Sequence, residues 1–180
     1  MKIIPISKGS VFFDQQGDIT PEHDEAPDRS LEGRARHPVL EAARQRAVEQ
    51  GLPYAGAVNP DDAWKLFAGG IVYLVDVRTA EERKFVGHVP NTVHIPWQTG
   101  AALLKNPRFI RELELKLPRE GAILFLCRSG KRSAAAAEAA TKAGFPHVFN
   151  VSEGFEGDLN GNQQRRQNGW RQRGLPWQQD

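Results

Sequence analysis

The 180-residue chain holds a single cysteine, Cys127, and contains no apolar run approaching the roughly 18 residues that a membrane-spanning helix needs. A single cysteine forbids an internal disulfide and any site built from several thiolates. The five histidines, His23, His37, His88, His94 and His147, are scattered without the spacing of metal ligands, so neither a metal nor a cofactor is expected. The amino-terminal stretch MKIIPISKGSVFF lacks the long apolar segment and small-residue cleavage site of a secretory signal. A lone thiol without an export signal points to a reducing, cytoplasmic setting, where it is either inert core or the reagent. Membrane partners are not expected.

What is present suits one ordinary core with a surplus. A 39% hydrophobic content over 180 residues supplies one domain of about 100–150 residues, and a second full core would need more apolar material. The net charge of +2 hides an uneven layout. Residues 1–33 carry Asp14, Asp18, Glu22, Asp24, Glu25, Asp28 and Glu32 against Lys2, Lys8 and Arg29, whereas Arg165, Arg166, Arg171 and Arg173 face only Asp180 across 161–180. Runs of this kind are usually solvated surface, though they can also bind partners.

Local signals divide the chain. Val11-Phe12-Phe13 before Asp14 to Gly17 reads as a short hairpin, and the acidic, proline-bearing stretch from Thr20 to Arg36 as a loop, so 1–36 forms a partly disordered extension. Over 38–50, Val39, Leu40, Ala43, Ala47 and Val48 recur at helical spacing and Gly51 ends the run. This helix and its lead-in occupy 37–56. Asn59 caps a second helix that begins at Pro60 with Asp61 and Asp62 in its first turn and runs to Ala68. Buried strands are expected at 71–75 and 122–126, with a third at 147–151 and a brief one at 93–95. Thr79 and Glu82 form a capping box. Further helices are expected at 107–116 and 133–143. Strands alternating with helices imply an α/β fold around a mostly parallel sheet. Residues 161–180 form a basic, irregular tail pinned by Trp170 and Trp177.

The 122–126 strand delivers Cys127 at its carboxyl end, where sites lie in open α/β sheets. The cysteine begins the loop Cys127-Arg128-Ser129-Gly130-Lys131-Arg132-Ser133, which leads into a helix. Loop N–H groups, the helix dipole and three cations all favour an anion there, and for Cys127 they favour the nucleophilic thiolate. An inert core cysteine needs none of them.

At this point the sequence resembles the rhodanese family. The likeness rests on Asp76-Val77-Arg78, Glu82, Gly87-His88-Val89-Pro90, His94-Ile95-Pro96, the Cys127–Ser133 loop, Gly144-Phe145, Val148-Phe149-Asn150-Val151 and Gly154, in order across 57–160. It implies a five-stranded, mostly parallel sheet flanked by helices on both faces, and a thiosulfate sulfurtransferase whose Cys127 carries sulfane sulfur as a persulfide. The substrates so implied are a small anionic sulfur donor such as thiosulfate, and cyanide, a thiol or a protein as acceptor. Arg128, Ser129, Gly130, Lys131, Arg132 and Ser133 would surround the donor, with Lys131 and Arg128 foremost. Asp76, Arg78, Glu82 and His88 would support the site, Arg78 pairing with Glu81 or Glu82. Where most members have Gly-Ala after the motif proline this chain has Asn91-Thr92, which alters a turn without touching chemistry.

Two other readings compete. Related folds use a loop cysteine to attack phosphate or arsenate, but they place an arginine six positions later, where this chain has Ser133. The shorter cradle suits one sulfur atom better than a tetrahedral phosphate. A non-catalytic binding module would have little use for an intact cysteine and cationic loop. Stacking of the tail tryptophans on nucleic acid is set aside in favour of packing on the domain.

Overall fold

Residues 30–179 are described by the computed structural model. The elements, in chain order, are α1 (Leu31–Ala35), α2 (Pro38–Gln50), β1 (Gly56–Val58), α3 (Pro60–Ala68), β2 (Tyr73–Asp76), α4 (Ala80–Val86), β3 (Val93–His94), β4 (Gln98–Thr99), β5 (Leu104–Lys105), α5 (Phe109–Lys116), β6 (Ile123–Leu126), α6 (Lys131–Lys142) and β7 (Val148–Val151). Five strands form one parallel sheet in the order β1-β7-β6-β2-β3, and β4 pairs with β5 in a separate antiparallel hairpin.

The uniform apolarity of the inner strands reflects cover on both faces. Leu74, Leu124, Leu126, Phe149 and Val151 face a core that includes Leu40 and Ala43 of α2 and Ala63 and Leu66 of α3. Their neighbours Val75, Ile123, Phe125 and Val148 face Phe109 and Leu113 of α5 and Ala136, Ala137 and Ala140 of α6. Each large apolar side chain buried in this way contributes about 1.5–3 kcal/mol. The small alanines of α6 let it lie close against the sheet, which brings its first turn to the end of β6.

Several expectations need adjusting. Part of the 20–36 stretch read as loop is helical, because Ser30 caps α1 by accepting from the Gly33 N–H at 3.0 Å. Val48, counted on the apolar face of α2, is 82% exposed. β1 and the β4–β5 hairpin were not anticipated. The hairpin reading at 11–17 and the rest of the extension through residue 29 lie outside the described residues. Among the described residues no helix is long and apolar enough to cross a membrane.

The tail folds back along the domain. Trp170 is fully buried, meets Trp64 edge-on at 6.1 Å and donates from Nε1 to the Pro176 carbonyl at 2.9 Å. Beyond it, His88 and Gln178 exchange both backbone hydrogen bonds at 2.8 Å. The 37–56 segment is likewise integral to the sheet layers, since α2 packs on β1 and β1 closes one edge.

Candidate active site

Adjacent strands β2 and β6 end side by side, with Asp76 in register with Leu126, so the loops that follow them share one rim of the sheet. After β6, Cys127 lies 1% exposed at the base of its loop. Two features fix the curve of that loop. Gly130 adopts φ +85° as the residue before α6, a conformation that costs glycine nothing. Gly154, at φ +66°, lies so close beneath that a Cβ there would stand 2.5 Å from the Cys127 carbonyl oxygen and 2.6 Å from the Ser129 nitrogen. The neighbouring Phe155 N–H donates to the Cys127 carbonyl at 2.8 Å, and the Glu156 N–H to that of Arg128 at 2.9 Å.

These bonds use carbonyls and leave the loop's donors free. Among the described residues, the backbone N–H groups of Arg128, Ser129, Gly130, Lys131, Arg132 and Ser133 have no hydrogen-bond acceptor, and the later ones belong to the first turn of α6, where such donors point outward. The side chains of Arg128 and Lys131 are exposed and have no ion-pair or hydrogen-bond partner among the described residues. Ser129 is half-buried.

Arg132 is engaged elsewhere. It holds Glu82 through two bonds of 2.7 and 2.6 Å. Burial acts against both charges, yet the mutual hydrogen bonds and attraction outweigh it, lowering the Glu82 pKa and raising that of Arg132. Glu82 also completes the capping box, taking the Thr79 N–H at 3.1 Å while the Thr79 hydroxyl takes the Glu82 N–H at 3.2 Å. One carboxylate therefore ties the β2 loop to the cysteine loop.

Arg78 takes a different partner from the expected one. Its Nε and Nη2 donate to Asp76 at 3.0 and 2.7 Å, not to Glu81 or Glu82, and Nη2 also reaches the Gly87 carbonyl at 2.8 Å. Both side chains are fully buried, and the guanidinium lies 4.0 Å above the Phe155 ring. Burial would push the Asp76 carboxyl up, but Arg78 and then Arg83 overcome this and hold it below the usual range. Arg78 Nη1 is buried without a partner. Arg83 spans from Asp76 to the Thr92 hydroxyl, both at 3.1 Å, and Asn91 takes φ +61°. The Asn91-Thr92 pair thus shapes a turn that braces Asp76. His88 is 8% exposed and its Nε2 faces the Gln178 amide at 3.1 Å, so it orders the tail. His94 Nε2 bonds the Arg78 carbonyl at 2.9 Å.

One contact of the thiol runs through its loop to a neighbouring strand. Ser133 Oγ lies 3.1 Å from Cys127 Sγ and 2.6 Å from Asn150 Oδ1 on β7. A hydroxyl has one proton to donate, so it serves the sulfur or the amide, not both. Asn150 also contacts the Tyr54 phenol, whose pKa burial raises. Among the described residues no cluster of His, Cys, Asp and Glu could hold a metal.

A five-stranded parallel sheet with a cysteine loop between β6 and α6 defines an α/β protein with a single-thiol site. A family model for the rhodanese-like domain matches residues 59–160, and the chain belongs to that family. Its relatives include an uncharacterized protein of Rickettsia conorii, 39% identical over 63% of this chain and 88% of that one. A chloroplastic protein of Arabidopsis thaliana named thiosulfate sulfurtransferase 16 is 30% identical over 72% of this chain and 97% of its own length. The crystal structure of Rv0390 from M. tuberculosis superposes with a TM-score of 0.65 at 41% identity, covering 71% of this chain and 99% of that one.

Proposed function

We propose that the chain is a sulfurtransferase that moves sulfane sulfur from thiosulfate, or a related anionic donor, to cyanide or a thiol through a persulfide on Cys127. The observation that carries this reading is the buried thiol at the base of a loop whose N–H groups and two flanking cations have no partner of their own. Arg128 and Lys131 attract the donor. The Cys127 thiolate attacks the outer sulfur of thiosulfate, the S–S bond of the donor breaks, and its electron pair leaves with sulfite. The persulfide is anionic, so the free N–H groups that received the donor also stabilise it. Ser133 donates to Asn150 while the sulfur holds its proton and turns to the sulfur once that proton has gone.

Two observations weigh against phosphoryl chemistry. Ser133 occupies the position where a phosphatase loop carries its arginine, and the one nearby candidate, Arg132, is bound through both terminal nitrogens to Glu82. A nucleic-acid role finds no support in Trp170, which is buried. A reducing compartment such as the cytoplasm suits a lone thiol that must stay free of disulfides.

Mass spectrometry of the intact protein after incubation with thiosulfate tests the proposal. Cys127 should gain one sulfur atom that a thiol or cyanide removes. No adduct from any sulfane donor, together with Cys127-dependent hydrolysis of an aryl phosphate, would replace it with the phosphatase reading.

A further inference from the structure

Beyond residue 160 the chain leaves the stretch matched by the family model, yet the tail builds a pocket of about 450 Å³ lined by Glu156, Arg165, Arg166, Arg171, Gln172 and Trp177. That volume lies within the range of small-molecule sites. Three of its six lining residues are arginines. Among the described residues, Arg165, Arg166 and Arg171 pair with no carboxylate. Arg165 donates to the Gly157 carbonyl, Arg171 lies 4.3 Å over the Trp177 ring, and Arg166 has no partner among the described residues. Glu156, on the same wall, forms no ion pair there. Three guanidinium groups held around one concavity repel one another until an anion enters it.

One wall is continuous with the catalytic loop. Trp177 meets Phe155 edge-on at 6.2 Å, and the Arg171 N–H donates to the Phe155 carbonyl at 3.0 Å. The segment from Phe155 to Gly157 in turn donates to the carbonyls of Cys127 and Arg128. On the length of a residue, this places the Glu156 backbone, one part of the wall, within about 10 Å of the Cys127 carbonyl.

We infer that this pocket receives the oxyanion-bearing end of the sulfur acceptor, a small thiol that carries two or more carboxylate or phosphate charges. The inference rests on the sulfurtransferase reading of Cys127. In the step it serves, the acceptor thiolate attacks the outer sulfur of the Cys127 persulfide. The S–S bond to Sγ breaks, its electron pair stays on Cys127 as thiolate, and the acceptor leaves as a persulfide, so no further oxidant or reductant is needed.

Two arms test it on the full chain. In the first, Cys127→Ala protein is titrated by calorimetry with pyrophosphate and with citrate. At least one should bind, Arg166→Gln should weaken binding about tenfold, a difference of about 1.4 kcal/mol, and the tighter probe distinguishes phosphate from carboxylate recognition. In the second, thiosulfate-loaded protein is discharged with mercaptosuccinate, a dicarboxylate, and with neutral 2-mercaptoethanol. The ratio of the two rates should fall about tenfold in an Arg165→Gln/Arg166→Gln variant. Neither probe binding, or an unchanged ratio, overturns the inference, as does an equal fall on neutralising the remote Lys65. If Cys127 takes up no sulfur, the sulfurtransferase reading fails on its own, while pyrophosphate and citrate binding still decides whether the pocket takes oxyanions.

Discussion

Two charged loops stand side by side at the carboxyl ends of β2 and β6. After β2, Asp76 and Arg78 are fully buried and pair with each other, and Arg83 adds a second cation to Asp76. After β6, Arg128 and Lys131 stand exposed, and the loop's N–H groups have no acceptor among the described residues. Both loops are rich in charge, but only the second can still bind an anion. The difference teaches that the number of cations near a site says little until their partners are known. Arg132 makes the point within a single loop: two positions from the glycine turn, it belongs to the paired set through Glu82.

The largest test of this contrast removes the nucleophile itself. Cys127→Ala should leave circular dichroism and the unfolding midpoint close to those of the parent, because a small buried side chain is lost, while uptake of sulfur from thiosulfate falls below detection. Retained uptake by the variant would move the chemistry elsewhere. On the paired side, Asp76→Asn should leave Arg78 buried without its counter-charge and cost about 3–5 kcal/mol in urea unfolding. A loss under about 1 kcal/mol would mean that the β2 loop is not the closed ion-pair frame described above.

An intermediate effect is expected on the open side. Lys131→Gln and Arg128→Gln should each raise the KM for thiosulfate about tenfold, equivalent to about 1.4 kcal/mol, with little change in the unfolding midpoint, because neither side chain holds another residue in place. Added salt should shrink the gap between parent and variant, since exposed charges are screened over about 10 Å at 0.1 M ionic strength. Acid should separate the loops in another way. Asp76 and Glu82 both ionise at lower pH in the folded chain than in the unfolded one. Their contribution to stability is therefore fully present above the unfolded carboxylate range, near about pH 4, and is lost as pH falls through the folded values. Unfolding midpoints measured downward from pH 6 should show that loss, and Glu82→Gln should reduce it.

Much of this site was legible because its signals are local. Asn59 before Pro60, Thr79 three residues before Glu82, and a cysteine directly after an apolar strand are short-range patterns, and the structure keeps them where the sequence puts them. The partners of the charges were not legible. Arg132 finds Glu82 across 50 residues, and Ser133 finds Asn150 only because β7 lies beside β6. Nothing in the spacing of Asp76 and Arg78 favours each other over Glu82; that choice follows from complete burial, which demands the shortest pairing. β1 escaped notice for a related reason. Three residues, Gly56 to Val58, are too few to show a period, and they become a strand through pairing with β7.

The smallest expected effect concerns the turn at Asn91-Thr92, where this chain departs from the usual Gly-Ala. Asn91 adopts the positive φ that glycine would otherwise supply, and asparagine tolerates that region better than most residues. Thr92 adds contacts that alanine lacks, donating to the Val89 carbonyl at 2.8 Å and accepting from Arg83 at 3.1 Å. Arg83 is the outermost member of the Asp76 cluster, so Thr92 should act on the frame and not on the anion site. Thr92→Ala should lower stability by about 0.5–1.5 kcal/mol, the typical net worth of an intramolecular hydrogen bond, and leave the KM for thiosulfate within about twofold of the parent, under about 0.4 kcal/mol. A larger shift in KM than in stability would show that the two loops are coupled through Asp76 and Arg83, and that the paired loop takes part in holding the donor.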